Sequence, residues 1–188
     1  MKRVVIVHCW DGKPDYCWYP YAKRELEAKG FEVAVPAFPD TEEPNLAKWL
    51  PVLTEVAGEP DEELFLIGHS VGCITILRYL ETLNEGQKIG GAVLVAGFTD
   101  DLGFDELKNF FTTPLDLDSS KPKANKFVAI HSDNDPFVPL THGDTFKDKL
   151  DAELIVKHAM KHFSGPVDDE ASCLELPDVV ESMVKISN

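Results

Sequence analysis

The segment Leu64-Phe-Leu-Ile-Gly-His-Ser-Val-Gly-Cys73 carries the clearest signal of the fold. Its first four residues form a short apolar run, typical of a strand buried on both faces of a parallel sheet. Apolar residues then recur at helical spacing, at Cys73, Ile76, Leu77 and Leu80. The G-x-S-x-G sequence between them therefore lies in the strand–turn–helix context in which this motif exposes its serine, here Ser70. The alternative is a glycine-rich turn with a helix-capping serine.

The same strand signature recurs along the whole chain. It predicts strands over residues 3–8, 31–35, 64–67, 92–96, 126–130 and 153–156, and helices over residues 21–29, 73–83, 145–150 and 178–186. Strands that alternate with helices require right-handed crossovers, which give a parallel sheet covered by helices on both faces. The longest interruption is residues 97–125, and a loop of this length is functional or contains a small helix. We therefore predict a single α/β domain over residues 1–188, with about six strands and a lid-like insertion at residues 97–125.

Composition and charge narrow the classes of partner. The 188 residues are 44% hydrophobic and 27% charged, which is ordinary for one globular domain. The net charge of −15 repels phosphate backbones and anionic lipid, so we expect neither nucleic acid nor a membrane as a partner. The N-terminal apolar run, residues 4–7, is shorter than the roughly 7–15 residues that a secretion signal needs. The scattered cysteines Cys9, Cys17, Cys73 and Cys173 indicate reduced thiols, so we predict a cytoplasmic protein.

The loops after two later strands contain the residue types that a reactive serine needs. A serine hydroxyl requires a base, and the base requires an orienting carboxylate. In α/β-hydrolases these follow the serine in the chain order acid, then histidine. The fifth predicted strand is followed by His131-Ser-Asp-Asn-Asp135, with two candidate acids, and the sixth by Lys157-His-Ala-Met-Lys-His162, with two candidate histidines.

Segments along nearly the whole chain resemble the small α/β-hydrolases of the retinoblastoma-binding-protein-nine family, which includes bacterial YdeN-like serine hydrolases. The matching segments are Val5-Ile-Val-His-Cys-Trp-Asp-Gly12, Trp18-Tyr-Pro-Tyr-Ala-Lys-Arg-Glu-Leu26, Gly68-His-Ser-Val-Gly72, Ile74-Thr-Ile-Leu-Arg-Tyr-Leu80, Gly91-Ala-Val-Leu-Val-Ala-Gly97, Ser132-Asp-Asn-Asp-Pro-Phe-Val-Pro139 and His162-Phe163. The resemblance implies an α/β-hydrolase fold with a minimal lid. It also implies Ser70 as nucleophile, Asp135 as acid and His162 as base.

The residues around Asp135 support the choice that the resemblance implies. Pro136 biases the backbone of Asp135 toward extended geometry, and Val138 can pack inward and anchor the loop. Asp133 and Asn134, in contrast, form a pair typical of a turn in which short polar side chains bond their own backbone.

The resemblance also assigns an oxyanion hole, and the sequence departs from the family in two places. The loop after the first strand and the residue after the nucleophile supply the two N–H groups, here those of Trp10 and Val71. Cys9 stands where related hydrolases have glycine, and we expect it to be a packed thiol. Ala171-Ser-Cys-Leu-Glu175 lacks the leading leucine of the pocket-protein motif Leu-x-Cys-x-Glu, so it does not predict retinoblastoma binding.

These observations predict a serine hydrolase that cleaves small carboxylic esters or thioesters through an acyl-enzyme, with a small-molecule acyl substrate. We expect no metal and no cofactor, since the histidines are scattered and no dinucleotide or P-loop fingerprint is present. The alternatives are an amidase or small peptidase with the same triad, and a protein-interaction module on a hydrolase scaffold.

The remaining histidines and the aromatic residues of the insertion have structural interpretations. His8 and His131 are predicted to form local hydrogen bonds, His69 to pack beside the elbow and His142 to lie on the surface. Phe104, Phe110 and Phe111 either wall a substrate pocket or pack a short helix.

Overall fold

The structure, a computed structural model, describes residues 1–164 and 173–188. Within these residues the chain forms one parallel sheet of six strands: β1 (Arg3–Val7), β2 (Glu32–Ala34), β3 (Leu64–His69), β4 (Gly91–Val95), β5 (Phe127–Ser132) and β6 (Glu153–Lys157). The helices are α1 (Tyr19–Glu27), α2 (Leu46–Ala57), α3 (Val71–Thr82), α4 (Leu117–Ser120), α5 (Thr141–Leu150) and α6 (Pro177–Ile186). The predicted α/β class with a parallel sheet is confirmed.

The strand order places the predicted site residues along one edge of the sheet. The order is β2-β1-β3-β4-β5-β6, so β2 lies on one side of β1, and β3 to β6 follow in sequence order on the other side. The strand order therefore reverses between β1 and β3, which makes this position the topological switch point of the sheet. Parallel sheets bind ligands beyond the carboxyl ends of their strands at such a switch point. Ser70 follows β3 directly and therefore lies at this point.

Side chains that alternate along the strands supply the core on both faces of the sheet. Val5 and Val7 of β1 pack with α2, α3 and α5, whereas Val4 and Ile6 pack with α1 and α6 on the opposite face. This alternation follows from the two-residue period of a strand. Because both faces are covered, the strand sequences are continuous apolar runs, which made them recognisable.

Helix α2 is absent from the predicted elements, and its omission is an error. Pro51 lies inside this region, and proline in a helix interior removes a backbone donor and strains the preceding turn. The side chain of Asn45 caps the helix by accepting the N–H of Ala47 at 3.0 Å. Trp49 and Leu53 are fully buried one turn apart, and this packing outweighs the cost of the proline. The asparagine cap and the four-residue spacing were the available signals.

The insertion at residues 97–125 contains 3₁₀ turns at Asp105–Phe110 and Lys121–Lys123 as well as the short helix α4. The buried Arg78 of α3 holds it in place by donating from Nε to the carbonyl of Phe110 at 2.9 Å. The same guanidinium forms an ion pair with Glu81 at 2.7 Å. The insertion is thus attached to the body of the fold, and its role as a lid stays a prediction.

No helix within the described ranges combines the length and apolar character needed to cross a membrane. Residues 1–164 and 173–188 likewise contain no group of three or more histidine, cysteine, aspartate or glutamate side chains arranged to hold a metal ion. The first two residues of the segment 171–175 lie outside the described residues.

Candidate active site

Ser70 lies in a strained turn between β3 and α3. Its backbone has φ 56° and ψ −122°, in the region of positive φ that side chains rarely adopt, at a cost of about 1–3 kcal/mol. The flanking glycines permit this turn. A Cβ atom on Gly68 would lie 2.7 Å from the Cα atom of Cys73, and one on Gly72 would lie 2.2 Å from the carbonyl oxygen of Val7. Both positions therefore require glycine for backbone segments to pack in contact.

A continuous path of hydrogen bonds joins Ser70, His162 and Asp135. His162 Nδ1 lies 2.8 Å from Asp135 Oδ2, and His162 Nε2 lies 2.9 Å from Ser70 Oγ. Because a carboxylate only accepts, Nδ1 carries the proton of the first bond and Nε2 is left to accept from the serine hydroxyl. The second carboxylate oxygen of Asp135 accepts the N–H groups of Phe137 at 2.9 Å and Val138 at 3.0 Å. The carboxylate is thus held on both oxygens.

The two rival candidates, Asp133 and His158, bind each other away from Ser70. His158 Nδ1 lies 2.6 Å from Asp133 Oδ2, and the His158 side chain is 91% exposed. The bond to Asp133 raises the pKa of His158 above its ordinary value. The N–H of Ala159, which donates to Asp133 Oδ1 at 2.9 Å, is the main cause that lowers the pKa of Asp133. Each aspartate therefore pairs with one histidine, and one of the two pairs reaches the serine.

Side chains at the end of β5 and in the loop after it hold the backbone of the loop after β6. The successive N–H groups of residues 159, 160 and 161 donate to the side chains of Asp133, Ser132 and Asn134 at 2.9, 2.9 and 2.8 Å. Every second residue of the receiving loop has a positive φ, a feature typical of backbone that turns successive N–H groups to one side; these residues are Ala159, Lys161 and Phe163. The bonds fix the loop that carries His162 relative to the loop that carries Asp135.

His69, the variable residue of the elbow, hydrogen-bonds through both ring nitrogens. Nδ1 lies 2.7 Å from the hydroxyl of Tyr19, and Nε2 lies 2.8 Å from the carbonyl oxygen of His162. Burial is the main cause that lowers the pKa of His69 to about 3, so its ring is neutral near neutral pH. The prediction that His69 merely packs beside the elbow is incomplete, since the ring also connects two other segments.

Ser70 and His162 open onto a cavity of about 230 Å³ whose walls are mainly apolar. The apolar lining residues are Trp10, Val71, Phe98, Leu102, Phe104, Leu107, Phe137 and Val138, and the others are Cys9, Asp11 and Ser164. Phe104, Phe110 and Phe111, for which a pocket wall and helix packing were the two predicted roles, divide between them. Phe104 lines this cavity, Phe110 packs edge-on against Trp49 at 6.3 Å between ring centroids, and Phe111 packs against Phe98 at 6.1 Å.

The two residues predicted to supply oxyanion N–H groups lie at the same cavity. Val71 is the first residue of α3, where backbone N–H groups have no partner within the helix. Trp10 lies in a tight turn closed by the N–H of Gly12, which donates to the carbonyl of Cys9 at 3.0 Å. The Trp10 indole donates to the carbonyl of Glu42 at 2.9 Å, which fixes its ring as one wall of the cavity. Cys9 is 3% exposed, consistent with a packed thiol.

Three further histidines are buried around the site. His8 has the predicted local bond, with its Nδ1 2.9 Å from the carbonyl oxygen of Cys9, and its Nε2 also accepts the N–H of the distant Phe38 at 3.2 Å. His131 was predicted to be satisfied in the same way, but its buried Nε2 has no partner among the residues that the structure describes. His142 was predicted to be exposed, yet it is 8% exposed and accepts the N–H of Thr99 at 3.2 Å. Helix α5 begins four residues earlier than predicted, at Thr141 rather than residue 145, which places His142 in its first turn.

This fold and this site define an α/β-hydrolase. The family profile described as serine hydrolase matches residues 4–171, so the chain belongs to that family and is an enzyme, a serine hydrolase. It is 30% identical to YdeN of Bacillus subtilis strain 168 over 163 residues, which cover 86% of each chain. It is also 30% identical to the serine hydrolase RBBP9 of Rattus norvegicus over 170 residues, 89% of this chain and 86% of that one.

The structural comparison agrees with the sequence comparison. The crystal structure of the ydeN gene product from Bacillus subtilis matches with a TM-score of 0.91 and 28% identity, over 99% of this chain and 98% of that one. The resemblance to YdeN-like and RBBP9-like serine hydrolases that the sequence motifs predict is therefore confirmed.

Proposed function

We propose that this enzyme cleaves small carboxylic esters or thioesters through an acyl-enzyme formed on Ser70, with His162 as base and Asp135 as acid. The observation that carries the proposal is the unbroken path of two hydrogen bonds, 2.9 Å from Ser70 to His162 and 2.8 Å from His162 to Asp135. A hydroxyl is a poor nucleophile until a neighbouring base accepts its proton, and this path supplies the base in the required tautomer.

The reaction proceeds in two halves. Ser70 Oγ attacks the carbonyl carbon while its proton passes to His162 Nε2, and Asp135 stabilises the imidazolium that forms. The N–H groups of Val71 and Trp10 stabilise the oxyanion, an interaction whose loss costs about 10²–10³ in kcat in comparable enzymes. His162 then returns the proton to the leaving alcohol or thiol, and the acyl group stays on Ser70. Water, activated by the same base, releases the acid.

The cavity supports a small, apolar acyl group as the substrate. At about 230 Å³ it is smaller than the 300–1,000 Å³ of a pocket for a drug-sized ligand. Its walls are mainly aliphatic and aromatic, and Asp11 is the one charged residue among the described residues that line it. A carboxylate on the acyl group would lose hydration there without gaining a cationic partner.

Charge and cysteine chemistry support a cytoplasmic protein that acts on small molecules rather than on nucleic acid. The net charge of −15 disfavours polyanions. Burial raises the pKa values of the Cys17 and Cys73 thiols, and both are free cysteines, a state that a reducing compartment preserves.

Labelling with a fluorophosphonate probe tests the nucleophile. We expect the native protein to be labelled once and Ser70→Ala not to be labelled. Ser182→Ala is the matched control, because it removes another buried serine hydroxyl, on α6, and should leave labelling unchanged. Labelling of Ser70→Ala at the native rate would refute the mechanism.

A substrate panel tests the reaction class. We expect p-nitrophenyl acetate and butyrate, together with the matching N-acetylcysteamine thioesters, to be turned over faster than aminoacyl amides. Faster turnover of the amides would instead assign an amidase or small peptidase. A protein labelled at Ser70 that turns over none of these compounds would contradict the proposed substrate class.

A further inference from the structure

A chain of buried hydrogen bonds, outside the proposed triad, joins the loop after β1 to the loop after β6. It begins at the backbone N–H of Cys9, which donates to the hydroxyl of Tyr19 at 3.0 Å. It continues from Tyr19 to His69 Nδ1 at 2.7 Å and from His69 Nε2 to the carbonyl oxygen of His162 at 2.8 Å. Tyr19 and His69 are both fully buried, so water does not compete for these bonds.

The chain has one arrangement of protons that satisfies every member. The carbonyl of His162 only accepts, so His69 Nε2 must carry a proton. Since burial keeps His69 neutral, its Nδ1 has no proton and must accept from the Tyr19 hydroxyl. The Tyr19 oxygen is then free to accept the N–H of Cys9. In every bond of the chain the donor therefore lies on the Cys9 side and the acceptor on the His162 side. If one member is removed, the groups that it bonded to lose their partners.

The ends of this chain lie on the two loops that the reaction needs. Cys9 directly precedes Trp10, the proposed oxyanion donor, and His162 is the proposed base. The loops follow β1 and β6, which are not neighbours in the sheet, because β3, β4 and β5 lie between them. The ladder of strand hydrogen bonds therefore does not set the distance between the two loops directly. His69, the residue before Ser70, is at the middle of the chain.

We propose that Tyr19 and His69 are positioning residues for the active site. Through the N–H of Cys9 they hold the loop after β1, and through the carbonyl of His162 they hold the loop after β6, each at a fixed distance from Ser70. The role rests on the proposed function, because that function assigns the tasks of Trp10 and His162. The ring nitrogens of His69 bond to Tyr19 and to the carbonyl of His162, and the His69 ring packs against the His162 ring at 5.4 Å between centroids. The effect of Tyr19 and His69 is on geometry, and a displacement of about 1 Å in an active site can cost about 10²-fold in rate.

The decisive comparison is Tyr19→Phe against Tyr79→Phe. Each substitution removes one buried tyrosine hydroxyl, but that of Tyr79 has no hydrogen-bond partner among the described residues. For Tyr19→Phe we expect kcat on p-nitrophenyl butyrate to fall about 10- to 100-fold, with KM within about twofold of the native value. Inhibition by phenylboronic acid, whose tetrahedral adduct resembles the transition state, should weaken by about the same factor as kcat. Tyr79→Phe should leave all these values unchanged.

A double-mutant cycle tests whether Tyr19 and His69 act as one chain. His69→Phe keeps a ring and removes both nitrogens, so we expect a loss of kcat similar to that of Tyr19→Phe. The double variant should lose no more than the larger single loss, because both substitutions break the same chain. Full additivity would overturn the link. A folded Tyr19→Phe with native kcat and native boronic acid inhibition would overturn the positioning role, even if its melting temperature fell.

Amide hydrogen exchange separates failure of this inference from failure of the proposed function. In Tyr19→Phe we expect the amide of Cys9 to exchange at least about tenfold faster than in the native protein, whereas Tyr79→Phe should not change it. Exchange is measurable without substrate. If the native protein turned over no ester and Ser70→Ala remained labelled, the proposed function would fail, and unchanged exchange at Cys9 would separately refute the hydrogen-bond chain.

Discussion

Two aspartate–histidine pairs lie side by side at the carboxyl edge of the sheet, and they differ in burial. Both aspartates follow β5 and both histidines follow β6. In the inner pair, Asp135 and His162, the side chains are 2% and 9% exposed. In the outer pair, Asp133 and His158, they are 38% and 91% exposed. Water screens the outer pair, so its attraction contributes little, whereas the inner pair interacts in a site from which water is largely excluded.

The remaining hydrogen bonds of the two carboxylates also differ. Asp135 uses its second oxygen on N–H groups of its own loop, those of Phe137 and Val138, which orients it toward His162. Asp133 uses its second oxygen on the N–H of Ala159 in the opposite loop. Both aspartates therefore join the two loops, the outer one through a side chain and a backbone N–H and the inner one through the His162 ring alone. Identical residue types in the same two loops thus have different burial and different hydrogen-bond partners.

Of the substitutions in the two pairs, those of the histidines should give the largest difference in kcat. We expect His162→Ala to lower kcat by at least about 10⁴-fold, because Ser70 loses the base that accepts its proton. His158→Ala removes a side chain exposed to solvent, so kcat should stay within about twofold of the native value. Steady-state kinetics on an activated ester measures both, with circular dichroism as the check on folding. An inactive but folded His158→Ala would show that the outer histidine takes part in catalysis.

Substitution of the aspartates should give a smaller difference in the same direction. Asp135→Asn keeps the shape but favours the wrong tautomer of His162, a change that costs about 10⁴ in kcat in serine proteases. We expect a loss of at least about 10²-fold, because residual polar groups replace part of the effect. Asp133→Asn keeps an oxygen that can accept the N–H of Ala159, so its loss should be under about tenfold, or roughly 1.4 kcal/mol in the barrier. The reverse ranking in kcat would assign the acid role to Asp133.

The smallest of the expected effects is the change with pH in the stability that the outer pair contributes. The bond to Asp133 raises the pKa of His158 above its ordinary 6.5, so NMR titration should place it above that value in the native protein and closer to it in Asp133→Asn. Because the folded-state pKa is raised, the stabilisation is fully present below pH 6.5 and is lost as pH rises through the folded-state pKa. The difference in melting temperature between native protein and His158→Ala should therefore shrink from pH 6 to pH 9. A difference that grows over this range would contradict the assigned bond.

The elements that follow from local pattern were predictable, and those that depend on packing were not. The strands are continuous apolar runs because both faces of the sheet are buried, so all six were found close to their observed positions. Helix α2 was missed because Pro51 is a strong local signal against a helix, and the buried Trp49 and Leu53 that override it lie against distant segments. His142 was wrongly predicted to be exposed because its burial depends on a contact with Thr99, 43 residues earlier in the chain.

Local sequence patterns are enough to specify the parallel α/β fold, the elbow that carries Ser70, and the two loops that hold the aspartates and histidines. These features are written in short runs of neighbouring residues, through strand periodicity, glycine turns and the order of the motifs. Three other features depend on how the chain packs: which aspartate lies against which histidine, the hydrogen-bond path from Asp135 to Ser70, and the link from Cys9 to His162 through Tyr19 and His69. Those contacts join residues that are far apart in the chain, and their distances follow from how the strands and helices pack.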